Sequence, residues 1–218
     1  MYEDEEILVI HKPSKLVVHP FDNSTEETLI DFLQMHSPSM FSIHNEIKLQ
    51  DNRTVHLGGI VHKLDRDTSG VMVIAKNQKI FDELQKQFKE HTVEKTYVAL
   101  VEGILDTDCF TINAPLGRSR KDYKQSTHPK NPRGKLLEAI TDVEVIERRD
   151  DTTLVKLFPK TGRTHQLRAH MASIGHPIVG DKAYGSTFPS SRIMLHAERV
   201  TLLLDNKKKT FEMKSDSF

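Results

Sequence analysis

The stretch that most limits what this chain can become is residues 58–76, GGIVHKLDRDTSGVMVIAK. Two apolar runs, Ile60-Val61 and Val71 to Ala75, enclose a short polar centre in which Asp65 lies between Lys63 and Arg66. The second run is β-branched and bounded by turn residues, the pattern of a buried strand. Gly70 supplies backbone freedom at the turn, and the hydroxyls of Thr68 and Ser69 can bond local backbone. The pattern holds a carboxylate beside cations at the end of a rigid strand. Such a carboxylate is either an ion-paired structural corner or a catalytic group kept ionised, and charge pattern alone leaves both open.

The rest of the 218-residue chain narrows the classes. It is long enough to bury a core as one large domain or two small ones. No run approaches the roughly 18 apolar residues of a membrane span. The N-terminal MYEDEE is acidic and lacks the apolar core of a signal peptide. The one cysteine, Cys109, excludes an internal disulfide framework and a zinc site built on several thiolates. A protein of the cytoplasm is expected. Formal net charge is zero, yet residues 118–135 carry Arg118, Arg120, Lys121, Lys124, Lys130, Arg133 and Lys135 against Asp122 alone. A local basic patch is the electrostatic footprint of a nucleic-acid binder, or else a solvated loop.

In chain order, residues 5–12 pattern as a strand that Pro13 stops, and residues 16–18 are expected to resume extended structure. Ser24 with Glu27 forms a capping-box pattern ahead of a helix that buries Leu29, Ile30 and Leu33 and ends near Pro38. Residues 37–57 show no regular pattern. Asn77 is placed to cap an amphipathic helix carrying Ile80, Phe81, Leu84 and Phe88 on one face. TVEKTYVALVEG is a strand closed by Gly103. Residues 118–135 pattern as a loop or arm. Residues 139–149 and 152–158 alternate around Asp150-Asp151 as a hairpin. Thr164 is expected to cap a helix with Leu167, Met171 and Ile174 inward, ended by Gly175. Strands at 193–204 and 210–214 are joined by a turn from Asp205 to Lys209. The sum is an α+β fold with a mainly antiparallel sheet and few helices, expected as one domain over residues 1–218.

Twelve histidines raise a metal hypothesis. His165 and His170 are five apart and His56 and His62 six apart, without a carboxylate spaced to join either pair, so no metal site is expected. No phosphate-cradling glycine motif and no serine or cysteine nucleophile signature appears. What remains is Asp65 in HKLDRDTSG, Tyr97 in KTY and Arg163 in TGRTHQLR. Each alone has a structural explanation: a turn ion pair, a core residue, a surface charge.

Together the motifs HKLDRDTSG, KTYVALVEG and TGRTHQLRAHMASIGHPIVGDKAYG resemble the RluA-type pseudouridine synthases. YEDEEILVIHKPSKLVVHP resembles that family's opening motif, and the resemblance runs in order from about Tyr2 to Phe211. It implies a pseudouridine-synthase catalytic domain with helices flanking the sheet and a central active-site cleft. It implies an isomerase that converts uridine in RNA to pseudouridine without metal or cofactor, breaking the base–sugar bond and rejoining the base through carbon. Asp65 is then the essential nucleophile or base. Arg163 is its pairing cation, and Tyr97 stacks on the target uracil. An ordinary phenol, with a pKa near 10, is a poor base at neutral pH, so stacking is the better-founded role.

Around these, His62, Lys63, Arg66, Thr164, His165, Arg118, Arg120 and Lys121 are expected on the substrate side. The family commonly has arginine where Lys63 stands; lysine keeps the charge but lacks the plane that stacks on bases left behind by a flipped nucleotide. It also usually has a glycine where Ser14-Lys15 stands. The expected partner is structured tRNA or rRNA, bound by a monomer with no obligate protein partner and no membrane. No separate N-terminal RNA-binding domain of the kind some relatives carry is expected. Substrate choice is therefore expected from the catalytic domain's own loops, the basic arm among them. The rival reading is a catalytically inactive RNA-binding or chaperone module of the same fold. A histidine-based metal hydrolase is the weaker rival.

Overall fold

Gly59 explains why the 58–76 stretch begins with two glycines. A side chain there would sit 1.7 Å from the Ala75 carbonyl, because the Ala75 amide donates to Gly59 O at 2.9 Å. Such an approach is open only to glycine. The bridge continues at Ile60, which pairs with Ile74. The computed structural model from which these contacts are taken describes residues 1–21, 25–118, 124–127 and 133–215.

Two compact units divide the chain, Met1–Val93 with Val200–Met213, and Glu94–Arg199 with Lys214–Phe218. In the first, β1 (Tyr2–Glu3), β2 (Ile7–Lys12) and β5 (Ser69–Ala75) pair antiparallel, with Ile7 opposite Ala75 and Lys12 opposite Gly70. Every residue of β5 is buried, as its unbroken apolar run requires. Helix α1 (Leu29–His36) buries Leu29, Ile30 and Leu33. Helix α2 (Gln78–Lys89) lies against β5 and is capped by Asn77, whose side chain accepts from the Ile80 amide at 3.0 Å.

Several local expectations change. Residues 16–18 form no strand, only a bridge from Val17 to Thr28. Ser24 lies outside the described residues, and α1 starts later, at a box made by Thr28 and Asp31. Residues 37–57 are not irregular. They hold a 3-10 turn, Pro38–Ser42, and a hairpin of β3 (Glu46–Lys48) and β4 (Thr54–His56). Asn52 turns that hairpin in the left-handed region, φ 67°, which asparagine tolerates. The hairpin was hidden because its strands are three residues long and no residue of them is fully buried.

The second unit contains β6 (Glu94–Glu102), β7 (Cys109–Asn113), β11 (Ile140–Arg148) and β12 (Thr152–Pro159) in the antiparallel order β6-β12-β11-β7. Between β7 and β11 lies a three-stranded sheet of β8 (Leu116–Arg118), β9 (Gln125–Ser126) and β10 (Arg133–Leu137). Arg118, Gln125–Ser126 and the residues of the expected arm from Arg133 on are thus strand, not loop. Helix α3 (Gln166–Ser173) lies against β12 and β9, contributing Leu167 and Met171 to a core with Ala99, Val101, Val155, Leu157 and Ile178. Ile174 falls after the helix and is 38 % exposed, not inward.

Strand β13 (Leu195–Leu204) passes from the second unit into the first and hairpins into β14 (Lys207–Glu212). The turn is tighter than expected, with Asp205 and Asn206 both at positive φ, the geometry of a two-residue hairpin. The α+β class and the mainly antiparallel sheet are as the sequence indicates. No helix among the described residues is long and apolar enough to cross a membrane.

Candidate active site

Three successive carbonyls fasten the turn that carries Asp65. Asp65 O accepts from the Thr68 amide at 3.1 Å. Arg66 O accepts from the Lys12 ammonium at 3.0 Å, and Asp67 O from the Ser14 hydroxyl at 3.0 Å. With its backbone held on both sides, the half-buried Asp65 carboxylate has little freedom to wander.

Lys12 is the core of this fastening. Its side chain is fully buried, and the same nitrogen also donates to Pro13 O and Leu16 O, each at 2.9 Å. Three carbonyls use all three N–H bonds of an ammonium, and a neutral amine would leave one unmatched. Burial pulls its pKa down to about 8, opposed by the nearby charges of Asp67 and Asp65. It is therefore still largely a cation at neutral pH. Sequence reading assigned Lys12 no role. The signal was present in strand parity, since Lys12 shares a face with Leu8 and Ile10, both buried.

The departure at residues 14 and 15 also has a local account. Lys15 has φ 71°, the left-handed conformation in which glycine is at ease, and Ser14 supplies the hydroxyl on Asp67 O.

Of the residues expected near Asp65, Lys63 is exposed. Arg66 reaches Glu26 at 3.3 Å in an exposed ion pair. His62 is built into the fold. Its Nε2 accepts from the Val73 amide at 3.0 Å, which places the proton of the neutral ring on Nδ1, and the ring stacks on Phe88 at 4.6 Å.

In the second unit Tyr97 lies on β6 opposite Leu157 and packs half-buried against the core. Lys95, two residues earlier on the same strand face, points its ammonium to Thr161 O at a long 3.4 Å. Burial alone draws its pKa down to about 8.

Arg163 sits in the loop between β12 and α3, its Nε donating to Glu138 O at 3.0 Å. Gln166 organises that loop. Its Oε1 accepts from the Arg163 amide at 3.0 Å and the Thr161 hydroxyl at 2.7 Å. Its Nε2 donates to Ile140 O and Thr141 Oγ1, each at 3.0 Å. The Gln166 side chain thus does what Thr164 was expected to do. Thr164 is exposed, and the helix N-cap is His165 at φ 52°, without a side-chain cap.

Below Gln166, one turn on, His170 is fully buried, with Nδ1 2.9 Å from Thr141 Oγ1 and Nε2 3.0 Å from Ala114 O. Burial lowers its pKa, only partly offset by the bond to Ala114. The ring is neutral, donating from Nε2 to the carbonyl and accepting at Nδ1 from the hydroxyl. Gln166 and His170 are four apart on one helix face, the spacing that could have flagged them as a pair.

The other side of α3 is tied by Arg168, which forms a bidentate pair with the fully buried Asp181 at 2.6 and 2.9 Å. The Arg168 guanidinium also lies 5.0 Å over the Tyr184 ring. The Tyr184 hydroxyl meets His165 Nδ1 at 3.1 Å and accepts from the Gln125 amide at 2.8 Å, joining the Arg163 loop to β9. Arg118 is exposed on β8, while Arg120 and Lys121 lie outside the described residues.

The Asp65 turn, β6 with Tyr97 and the Arg163 loop carry the three motifs that resemble the pseudouridine synthases, in an α+β chain with a mainly antiparallel sheet. A model of the family described as RNA pseudouridylate synthase matches residues 6–173, and the chain belongs to that family. It is 42 % identical over 203 residues to an uncharacterized RNA pseudouridine synthase of Aquifex aeolicus, covering 91 % of this chain and 60 % of the relative. It is 34 % identical over 218 residues to ribosomal large subunit pseudouridine synthase D of Borreliella burgdorferi, covering 100 % of this chain and 62 % of that protein. The chain thus spans roughly three fifths of these relatives' length. Among solved structures, human RNA pseudouridylate synthase domain containing 1 superposes with a TM-score of 0.78 at 27 % identity, over 98 % of this chain and 82 % of that one.

Proposed function

We propose that this protein isomerises specific uridines in structured RNA to pseudouridine, with Asp65 as the essential nucleophile or base. The observation that carries the reading is the fastening of the Asp65 turn within a chain of this family. Three carbonyl contacts, one from a buried ammonium, hold the short turn that carries the Asp65 carboxylate. The C1′–N1 bond of uridine breaks, the base turns, a C1′–C5 bond forms, and a proton is lost from C5 while one is taken up at N1. A carboxylate suits this reaction because it can add covalently and leave again. Tyr97 offers the aromatic face on which a flipped uracil stacks, and Arg163 the planar cation that pairs with Asp65.

The RNA is bound in the cytoplasm by a monomeric single catalytic domain. Lys63, Arg66, Arg118, Arg120 and Lys121 meet phosphates, while Thr164 and His165 border the Arg163 loop. The relatives' names make large-subunit ribosomal RNA the first substrate to try.

The experiment incubates wild type and Asp65→Ala with unmodified ribosomal RNA and tRNA and maps pseudouridine by chemical sequencing. New pseudouridine with wild type alone is the expected result. None with either protein, when both are folded, sinks the reading.

A further inference from the structure

We propose that Lys95 is a substrate-contacting cation, its ammonium receiving an oxygen of the target nucleotide beside Tyr97 and Gly162. The proposal rests on the RNA-isomerase reading above and extends it to a residue that reading does not use.

Among the described residues the Lys95 ammonium has one contact, to Thr161 O at 3.4 Å. That is longer than the usual N–H···O range, and no carboxylate answers the charge. An ammonium has three donors. Lys12, which is fully buried, spends all three on carbonyls at 2.9 to 3.0 Å. Lys95 is half-buried, and its ammonium has donors left over for a further acceptor.

The space beside it is suited to a ligand. A side chain added at Gly162 would find the Lys95 ammonium at 3.8 Å and nothing else within 4 Å. Gly162 adjoins Arg163 in sequence, and Lys95 and Tyr97 share a face of β6, about 7 Å apart along the strand. The alternate residues Thr96 and Val98 are buried. One strand face and one loop therefore bring a stacking ring, an open glycine and an under-coordinated cation together. With the lysine pKa at about 8, the group is charged at neutral pH, and an oxygen acceptor would strengthen that charge.

The acceptor is either a phosphate oxygen next to the target or a uracil carbonyl oxygen, which gains negative charge when the base–sugar bond breaks. Lys95→Met and Lys95→Gln are compared with wild type on in vitro transcribed large-subunit ribosomal RNA. Thermal unfolding, RNA affinity across a salt series, and single- and multiple-turnover rates are measured. Both variants should unfold no earlier than wild type, because the half-buried ammonium contributes only one long hydrogen bond to the fold, yet lose about tenfold or more in kcat/KM. A phosphate contact shows as weaker binding and a log Kd against log salt slope smaller by about 0.7 to 0.9. A uracil contact shows as a lower kcat with the slope unchanged.

Wild-type kcat/KM and slope in both variants overturn the proposal, as does a loss that merely tracks a lowered unfolding temperature. Wild type that binds this RNA without forming pseudouridine defeats the isomerase reading instead, and the salt slopes alone then decide for or against a Lys95–phosphate contact.

Discussion

Lys12 and Arg66 are joined by a hydrogen bond of 3.0 Å from the lysine ammonium to the arginine carbonyl, across 54 residues of sequence. The bond makes the residue after Asp65 part of the end of β2, so the aspartate turn is as rigid as the strand pair beneath it.

Lys12→Met should therefore destabilise the protein by about 3 to 5 kcal/mol, the range for removing one partner of a buried charged network. Three carbonyls lose their donor at once, and the nearby Asp65 and Asp67 lose a neighbouring cation. Chemical denaturation measures the change. A loss below about 1 kcal/mol would show that water replaces the ammonium without strain.

Lys15→Gly should stabilise the same region. A left-handed non-glycine residue costs about 1 to 2 kcal/mol, against which glycine's extra chain entropy costs about 0.5 to 1. Lys15, exposed and at φ 71°, should give a net gain of up to about 1.5 kcal/mol in the unfolding free energy. An unfolding midpoint that falls would contradict this.

Gln166→Leu keeps the size of the side chain and removes four hydrogen bonds at once. Thr161 Oγ1, Ile140 O and Thr141 Oγ1 each keep one other partner, so the cost is that of the lost bonds themselves, about 2 to 4 kcal/mol. Because the Arg163 amide is released as well, turnover should fall between about tenfold and a hundredfold at temperatures where the variant is folded. Initial rates beside urea titrations separate the two effects.

His170 gives a pH dependence with a definite sign. Its folded pKa lies below the unfolded value, so between the two the unfolded chain binds more protons and stability rises with pH. The contribution is full above about pH 6.5 and is lost as pH falls through the folded pKa. His170→Gln can keep one donor and one acceptor but cannot titrate. The stability of wild type relative to this variant should shrink below about pH 6.5, read from denaturant midpoints at a series of pH values.

Much of this was legible along the chain because the signals are local. The cap at Asn77, the apolar run of β5 and the alternation about Asp150-Asp151 all lie within one element or one turn. Local signals failed where the element was short or a stronger partner intervened. The β3–β4 hairpin has too few residues for a period to show. Thr164 has the chemistry of a cap, yet Gln166 takes the loop amide because its amide is also anchored on β11.

The candidate site divides in the same way. Asp65, Tyr97 and Arg163 stand out in sequence because their motifs are contiguous, whereas Lys12, Lys95 and Gln166 look like ordinary polar residues. Sequence alone determined the longer strands and helices, the family resemblance and the residue types available for chemistry, since these follow from neighbours within a few positions. Tertiary structure alone decided which lysine is saturated by carbonyls, which is left short of acceptors, and which amide braces the Arg163 loop. The physical reason is that burial and hydrogen-bond partners are set by segments distant in the chain, and only folding brings those segments within 3 Å.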